Sequence, residues 1–275
     1  MIHIDHKFAI ALLALTSFAG AQHNPATTPQ ASHSQTAVVD AIGSLAHVQP
    51  PPPNYRYPDG QTYVYNAEWR LWTAGTTSLR IESEGNMQKV SGAADSTGVV
   101  ALLYTVHDRF EARFDPRTFC SQGIFKHTEE GFHKKETNIR FDYAQRKAIL
   151  DEKNLKNNEM KHTTQDIPAC TLDVISGIYY LASLPLQVGA SYTFPLNDGN
   201  KTIDVKATVE GREQVKTDAG TFSTLRVRAE DASGAMKNRG SAWIWYAEGT
   251  RVPVQMRARA FWGTLNFKLA RVERK

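Results

Sequence analysis

The sequence predicts a mainly β, antiparallel fold that holds one buried helix. Three observations carry this. Between Val209 and Val272, apolar and polar residues alternate with a period of two. Turn-forming residues such as Asp218-Ala219-Gly220 separate those segments. A single stretch upstream, Thr171 to Leu184, switches to helical spacing and is mostly apolar.

The folded domain is expected over residues 57–275. Tyr63, Tyr65, Ala67, Trp69 and Leu71 alternate with Val64, Asn66, Glu68 and Arg70, which predicts a long aromatic strand. Ala74-Gly75 reads as its turn, with Thr77, Leu79 and Ile81 lining the next strand. Glu84-Gly85-Asn86 is a further turn. The continuous apolar run Val99 to Val106 reads as a strand buried on both faces. Phe110, Ala112 and Phe114 alternate up to the turn starter Asp115-Pro116, and Phe119 to Lys126 follows as another strand. Gly131 to Asp142 alternates loosely around Phe132, Ile139 and Phe141. The charged, Asn-rich run Asp151 to Met160 is expected as an exposed loop.

In the helical stretch, Val174, Ile178 and Leu181 are spaced by four and three, and Leu172, Ile175, Tyr179 and Leu184 widen the stripe. Pro168 and Pro185 bracket it; Thr171 is the expected N-cap, with Asp173 in the first turn. So apolar a helix must be buried, laid against the concave side of the sheet. Val188 to Phe194 and Thr202 to Val209 return to strand. In the final third, Leu225, Val227 and Ala229 oppose Arg226, Arg228 and Glu230. Val254, Met256, Ala258 and Ala260 oppose Gln255, Arg257 and Arg259, and Leu265, Phe267 and Leu269 oppose Asn266 and Lys268. A helix would set Arg226 and Arg228 about 200° apart and smear this pattern. The result is an antiparallel meander with one dry face. Pro253, lacking an N–H, suits a strand start or an edge.

The N-terminus reads as a signal peptide over 1–21. Lys7 precedes the apolar run Phe8 to Phe18, and Ala19-Gly20-Ala21 fits a small-x-small cleavage pattern. An uncleaved anchor is the alternative, although the run is short for a bilayer span. No Cys follows it to carry a lipid, and no other stretch is apolar enough to be transmembrane. The mature chain is therefore expected in the periplasm, or secreted where there is no outer membrane. Residues 22–56 are rich in Thr, Ser, Gln, Ala and Pro and end near Pro50 to Pro53, which reads as a disordered, partly polyproline II linker. The formal charge of +4 contains no Lys/Arg block, so a nucleic-acid partner is not expected. Cys120 and Cys170 either pair in an oxidising compartment or stay as separate thiols; both readings stand.

Candidate chemistry is sparse. His127, Glu129, Glu130, His133 and Glu136 cluster in sequence, yet on one strand the two histidines would lie about 20 Å apart. Asp151-Glu152, and Glu210 with Glu213, are the carboxylates a glycan hydrolase or lyase would pair across a cleft. No nucleophile elbow, phosphate loop or Ser-x-x-Lys motif occurs, and Ser176 is expected to pack or bond a carbonyl. No catalytic, metal or cofactor residue is assigned. Two features fit ligand binding instead. Arg226, Arg228, Arg257 and Arg259 share one sheet face and match phosphate or carboxylate groups, unless Glu210, Glu230 and Glu273 balance them on a solvated surface. Trp69, Trp243 and Trp245, with Tyr63, Tyr65, Phe261 and Trp262, either line a lipid or glycan groove or form cross-strand core pairs. Ile178 is the helix residue expected to face a ligand.

The chain also resembles the bacterial envelope family of domain of unknown function 3108. The likeness lies in Glu68-Trp69 with Ala74-Gly75, in Asp173-Val174-Ile175-Ser176-Gly177-Ile178-Tyr179-Tyr180, and in Gly211-Arg212-Glu213 with Gly220-Thr221-Phe222. It continues in Trp243-Ile244-Trp245, Arg251-Val252-Pro253-Val254, and Gly263 with Leu269, so it spans Tyr57 to Val272. Ala247-Glu248-Gly249 departs from the family's Asp-containing turn. The resemblance implies a strongly curved sheet or open β-barrel wrapping the helix, similar in outline to the half-barrels of periplasmic lipoprotein carriers. It implies no activity. The expected function is non-catalytic: binding an apolar or amphipathic envelope molecule, such as lipid or glycolipid, on a concave β-surface. The alternatives are a structural or interaction module that meets another envelope protein and has a filled interior, or an envelope glycan hydrolase or lyase.

Overall fold

The computed structural model describes residues 46–69, 72–233, 241–260 and 263–274. The signal-peptide reading, most of the linker, and the aromatics Phe261 and Trp262 lie outside the described residues. Eight strands come first: β1 (Gln61–Trp69), β2 (Trp72–Glu84), β3 (Met87–Ser96), β4 (His107–Phe114), β5 (Ser121–Glu130), β6 (His133–Asp142), β7 (Lys147–Asn154) and β8 (Met160–Asp166). A short helix, α1 (Gly98–Leu103), lies between β3 and β4. Then come β9 (Leu172–Asp173), α2 (Val174–Ser183), β10 (Ser191–Asn197) and β11 (Thr202–Thr217). The chain closes with β12 (Gly220–Asp231), β13 (Ala242–Ala247), β14 (Pro253–Ala260) and β15 (Gly263–Arg274).

All the strands join one 15-stranded sheet, in the order β8-β7-β6-β5-β4-β3-β2-β1-β15-β14-β13-β12-β11-β10-β9. It is two meanders hinged where the first strand pairs antiparallel with the last, Tyr63 opposite Val272. Among the described residues only β9 and β10 pair in parallel. Short hairpins set the register. Gly85 and Gly131 open two-residue turns at φ +63° and +53°, a region that costs a residue without Cβ little.

The sheet curls until its two ends approach. Gln165 of β8 donates to the Gly199 carbonyl and accepts from the Asn197 amide, both at 3.2 Å. Tyr143 donates to the carbonyls of Ser121 (2.6 Å) and Thr171 (3.2 Å), and a Cys120–Cys170 disulfide ties the same region together. The sheet is curved and unclosed: the link between β8 and the β10 end is made by side chains, not by a strand ladder.

The inner faces are those the alternation marked: Tyr63 and Tyr65, Leu79 and Ile81, Phe110, Ala112 and Phe114, Ile139 and Phe141, Leu225 and Val227, Met256, Phe267 and Leu269 are all buried. Inside them lies α2, in which Ile175, Ile178, Tyr179, Tyr180 and Leu181 are buried. Both halves of the sheet grip it. The Phe114 ring stacks on Tyr179, Phe194 meets Tyr180 edge-on at 5.1 Å, and Tyr246 of β13 donates to the Ile178 carbonyl at 2.8 Å.

Several expectations are corrected. The run from Val99 is not a buried strand but the exposed α1; period alone cannot separate helix from strand in a short apolar run. Ala74-Gly75 is not a turn. β1 and β2 pair Trp69 with Trp72, and Gly75 sits inside β2, where a Cβ would come within 2.2 Å of the Asp95 carbonyl. Asp151 to Asn154 belong to β7 and Met160 starts β8, so the expected loop is the tip of a hairpin. Phe132, taken as a strand point, lies exposed on the β5–β6 turn. The N-cap is Asp173, not Thr171, because Leu172 and Asp173 extend beside Leu196 and Asn197. The linker reading fails at its end. Val48 and Tyr55 pack on the core, and Tyr55 donates to the Tyr179 carbonyl, so residues from His47 onward lie against the fold.

Candidate binding site

The site begins with how α2 is held. Asp173 Oδ1 accepts from the backbone N–H of Ile175 (2.7 Å) and Ser176 (3.0 Å), while the Asp173 N–H donates to Ser176 Oγ at 2.9 Å, a capping box. Ser176 Oγ also donates to the Asp173 carbonyl at 3.1 Å, so it serves the cap. Ser121 Oγ donates to Asp173 Oδ2 at 2.5 Å, which fastens the cap to β5. A helix fixed at its start to one half of the sheet and at Ile178 to the other leaves little freedom along its length.

Between α2 and the wall formed by β10 to β15 lies an apolar cavity of about 100 Å³. Gly177, Ile178 and Leu181 line it from the helix, and Phe194, Ile244 and Phe267 from the sheet. Gly177 presents no side chain there, and a Cβ would sit in ordinary contact with Leu196 at 3.5 Å. Lys201, Glu230, Asp231 and Arg257 bring charge to its margin. Of the residues singled out in sequence, Ile178, Trp243 and Arg257 meet at this cavity. A wider groove of about 870 Å³ lies near the opposite sheet edge, among Gln61, Tyr63, Phe222, Leu269 and Arg274; its walls are more polar and α2 takes no part in it.

The arginine face does not form one cluster. Arg226 bridges Glu210 (2.8 Å) and Glu213 (3.0 Å), and Arg228 pairs with Glu230 at 2.7 Å. Arg257 donates to Asn266 at 2.7 Å and stands 5.2 Å from the Trp245 ring, while Arg259 is exposed. Trp245 is buried by this company, its indole donating to Glu213 at 2.6 Å, and Arg228 covers Trp243 at 5.8 Å. Carboxylates or aromatic rings thus engage three of the four guanidiniums, Arg226, Arg228 and Arg257. Trp69 lies at the sheet margin against the core, and Tyr63 and Tyr65 are core residues, Tyr63 also bordering the wider groove.

The histidine and carboxylate sets do not converge. His127 contacts Glu129 and Glu136, each at 3.2 Å, and hydrogen bonding, first to Glu129, raises its pKa. His127 and His133 belong to the two strands of one hairpin, closer than a single strand would allow. Among the described residues no group of three or more His, Cys, Asp or Glu is placed to hold a metal ion. Asp151 and Glu152 are strand neighbours on opposite faces, bonded to His162 (2.7 Å) and Lys135 (2.9 Å) respectively. Glu210 and Glu213 share Arg226 rather than face each other across a cleft.

Sequence reasoning missed a polar patch on the inner wall. Asp108 and Glu130 are buried side by side; burial pushes both carboxyls up, and Asp108 pushes Glu130 further. Lys126 is half-buried as a residue, but its ammonium end is enclosed near Gly199 and desolvation pushes it down to about 8. Lys126 and Glu130 alternate with Phe125 and Glu129, so both faces of β5 read as mixed and the period gave no contrast.

An open, barrel-like sheet curled around a helix, with an apolar cavity beside that helix, places this protein among β-barrel-like folds. The chain belongs to the family described as Protein of unknown function (DUF3108), which it matches over residues 64–270. It is similar to the beta-barrel-like protein of domain of unknown function DUF1849 from Brucella abortus. That likeness has a TM-score of 0.55 at 8% identity and covers 78% of this chain and 97% of that one. A protein from Bacteroides fragilis described as exported, with a YmcC-like fold, aligns at a TM-score of 0.35 and 10% identity, covering 83% and 100%. A protein from Parabacteroides distasonis described as a lipoprotein aligns at 0.29 and 11%, covering 78% and 95%. No curated protein matches the chain. No helix among the described residues is long and apolar enough to cross a membrane.

Proposed function

We propose that this is an exported, non-catalytic protein whose concavity takes an apolar segment of an amphipathic envelope molecule beside α2. The observation that carries the reading is the cavity at Ile178 and Trp243, apolar inside and charged at its margin. Its about 100 Å³ suits part of an acyl chain rather than a whole lipid, since drug-sized sites occupy about 300 Å³ or more. Export is supported by the N-terminal apolar run with its small-residue site, and by a disulfide that suits an oxidising compartment. Mass spectrometry of organic extracts from natively purified protein tests the binding. A recurrent lipid or glycolipid is expected, and binding of a fluorescent fatty acid should weaken by about tenfold in Ala258→Trp, which fills the cavity. Extracts that repeatedly carry no such molecule would end the reading.

The small cavity and a helix buried on nearly all sides favour a second reading, an envelope interaction module with a filled interior. Empty extracts together with unchanged fatty-acid binding in Ala258→Trp would select it.

A further inference from the structure

In an antiparallel meander alternate connections share an edge of the sheet. One edge here carries the strand ends after β1, β3, β5 and β7 in one half and after β10, β12 and β14 in the other. The six most exposed large apolar side chains among the described residues all lie on it. They are Trp72 at the start of β2, Val99, Leu102 and Leu103 on α1, Phe132 on the β5–β6 turn, and Met160 at the start of β8. Leu102 is 86% exposed and Phe132 77%. No residue of α1 is buried, so its Val-Val-Ala-Leu-Leu run adds nothing to the core.

These tips are stitched together. Thr97 N–H donates to the Ala74 carbonyl (3.0 Å), Gly131 N–H to Thr105 (2.8 Å) and Leu155 N–H to Lys134 (2.9 Å). The side chains stand on separate protruding tips rather than around a groove, which suits a fluid partner better than a rigid one. Cations accompany them. Lys156 stands 5.4 Å from the centre of the Phe132 ring, and its hairpin carries Lys153 and Lys161 against Glu159. Asp198, Lys201, Asp231 and Ala242, at the margin of the apolar cavity, lie at strand ends on this same edge.

We infer that this rim docks on an anionic lipid surface, seating Trp72, Leu102, Leu103 and Phe132 at the level of the headgroups while the flanking lysines meet anionic phosphates. The rim is read from exposure and charge alone, so it does not depend on an occupied cavity.

Flotation of the full chain with vesicles of phosphatidylglycerol and phosphatidylcholine in equal parts tests it, with phosphatidylcholine vesicles alongside. Binding to the anionic vesicles is expected, weakened by salt, and reduced more than about tenfold in a variant carrying Leu102→Glu, Leu103→Glu and Phe132→Glu. Val272→Glu, on the other sheet edge, should bind as the parent does. All three proteins share the N-terminal apolar segment, so the difference between them reports the rim; circular dichroism confirms that each is folded. Equal binding by the rim variant overturns the inference. So does absence of vesicle binding in a parent whose self-association, by analytical ultracentrifugation, is lost in the rim variant, since the rim would then meet a second copy. Loss of the rim with lipid still recovered in extracts leaves the cavity reading intact; vesicle binding with empty extracts does the reverse.

Discussion

Gly92 and Phe110 face each other across β3 and β4, and a Cβ on Gly92 would fall 2.0 Å from the ring. The ring needs that missing atom, and the glycine gains an apolar cover that it could not supply itself. The same inner wall holds Asp108 and Glu130, whose protonation gives the first prediction. Burial raises both folded-state pKa values above the ordinary carboxyl range, so across the window from that range up through neutral the folded state holds more protons than the unfolded chain. Their contribution to stability is therefore complete in acid and is lost as pH rises. Lys126, lowered to about 8, opposes this only above that value. Glu130→Gln cannot ionise, and its urea midpoint should fall less than the parent's between about pH 5 and about pH 8. A parallel decline in the two proteins would refute the assignment.

At the scale of elements, α2 shows how a buried helix is started. Its cap is almost completely enclosed, and Asp173 serves two helix N–H groups and Ser121 at once. Asp173→Ala should cost about 2 kcal/mol, the upper end for a cap because Ser121 also loses its acceptor, whereas Asp173→Asn should cost less. Chemical denaturation of the three proteins checks this; an alanine variant as stable as the parent would show the cap to be idle. The sequence announced this helix because a stripe of spacing three and four is specific, and it announced β12, β14 and β15 because one face of each is dry and the other charged. It misread α1, where apolar residues occur without a core to explain them. It missed β7 and β8, whose polar residues on both faces leave no alternation to see. The cavity was legible only through Ile178, Trp243 and Arg257. The rest of its lining comes from strands far apart in the chain, and no local pattern marks which small residues leave space.

Over the whole molecule, two meanders share a hinge made by the first and last strands, so the chain's ends are stapled at the middle of the sheet and its middle supplies both edges. This explains why a family match distributed over residues 64–270 goes with one architecture: removing either half would strip β1 or β15 of its partner. It also brings Cys120, just before β5, beside Cys170, just before β9, although the two lie 50 residues apart in sequence. Gln165 and Asn197 make the fastening between those edges. In Gln165→Ala, amide hydrogen exchange along β8 should quicken while β1 and β15 stay protected; uniform exchange would show that the fastening carries no strain of its own.

A clasp made from two amide side chains behaves unlike a closed hoop. Its two hydrogen bonds can part while every backbone ladder and the Cys120–Cys170 disulfide stay whole, so β8 can lift from the β10 end without unzipping a strand pair.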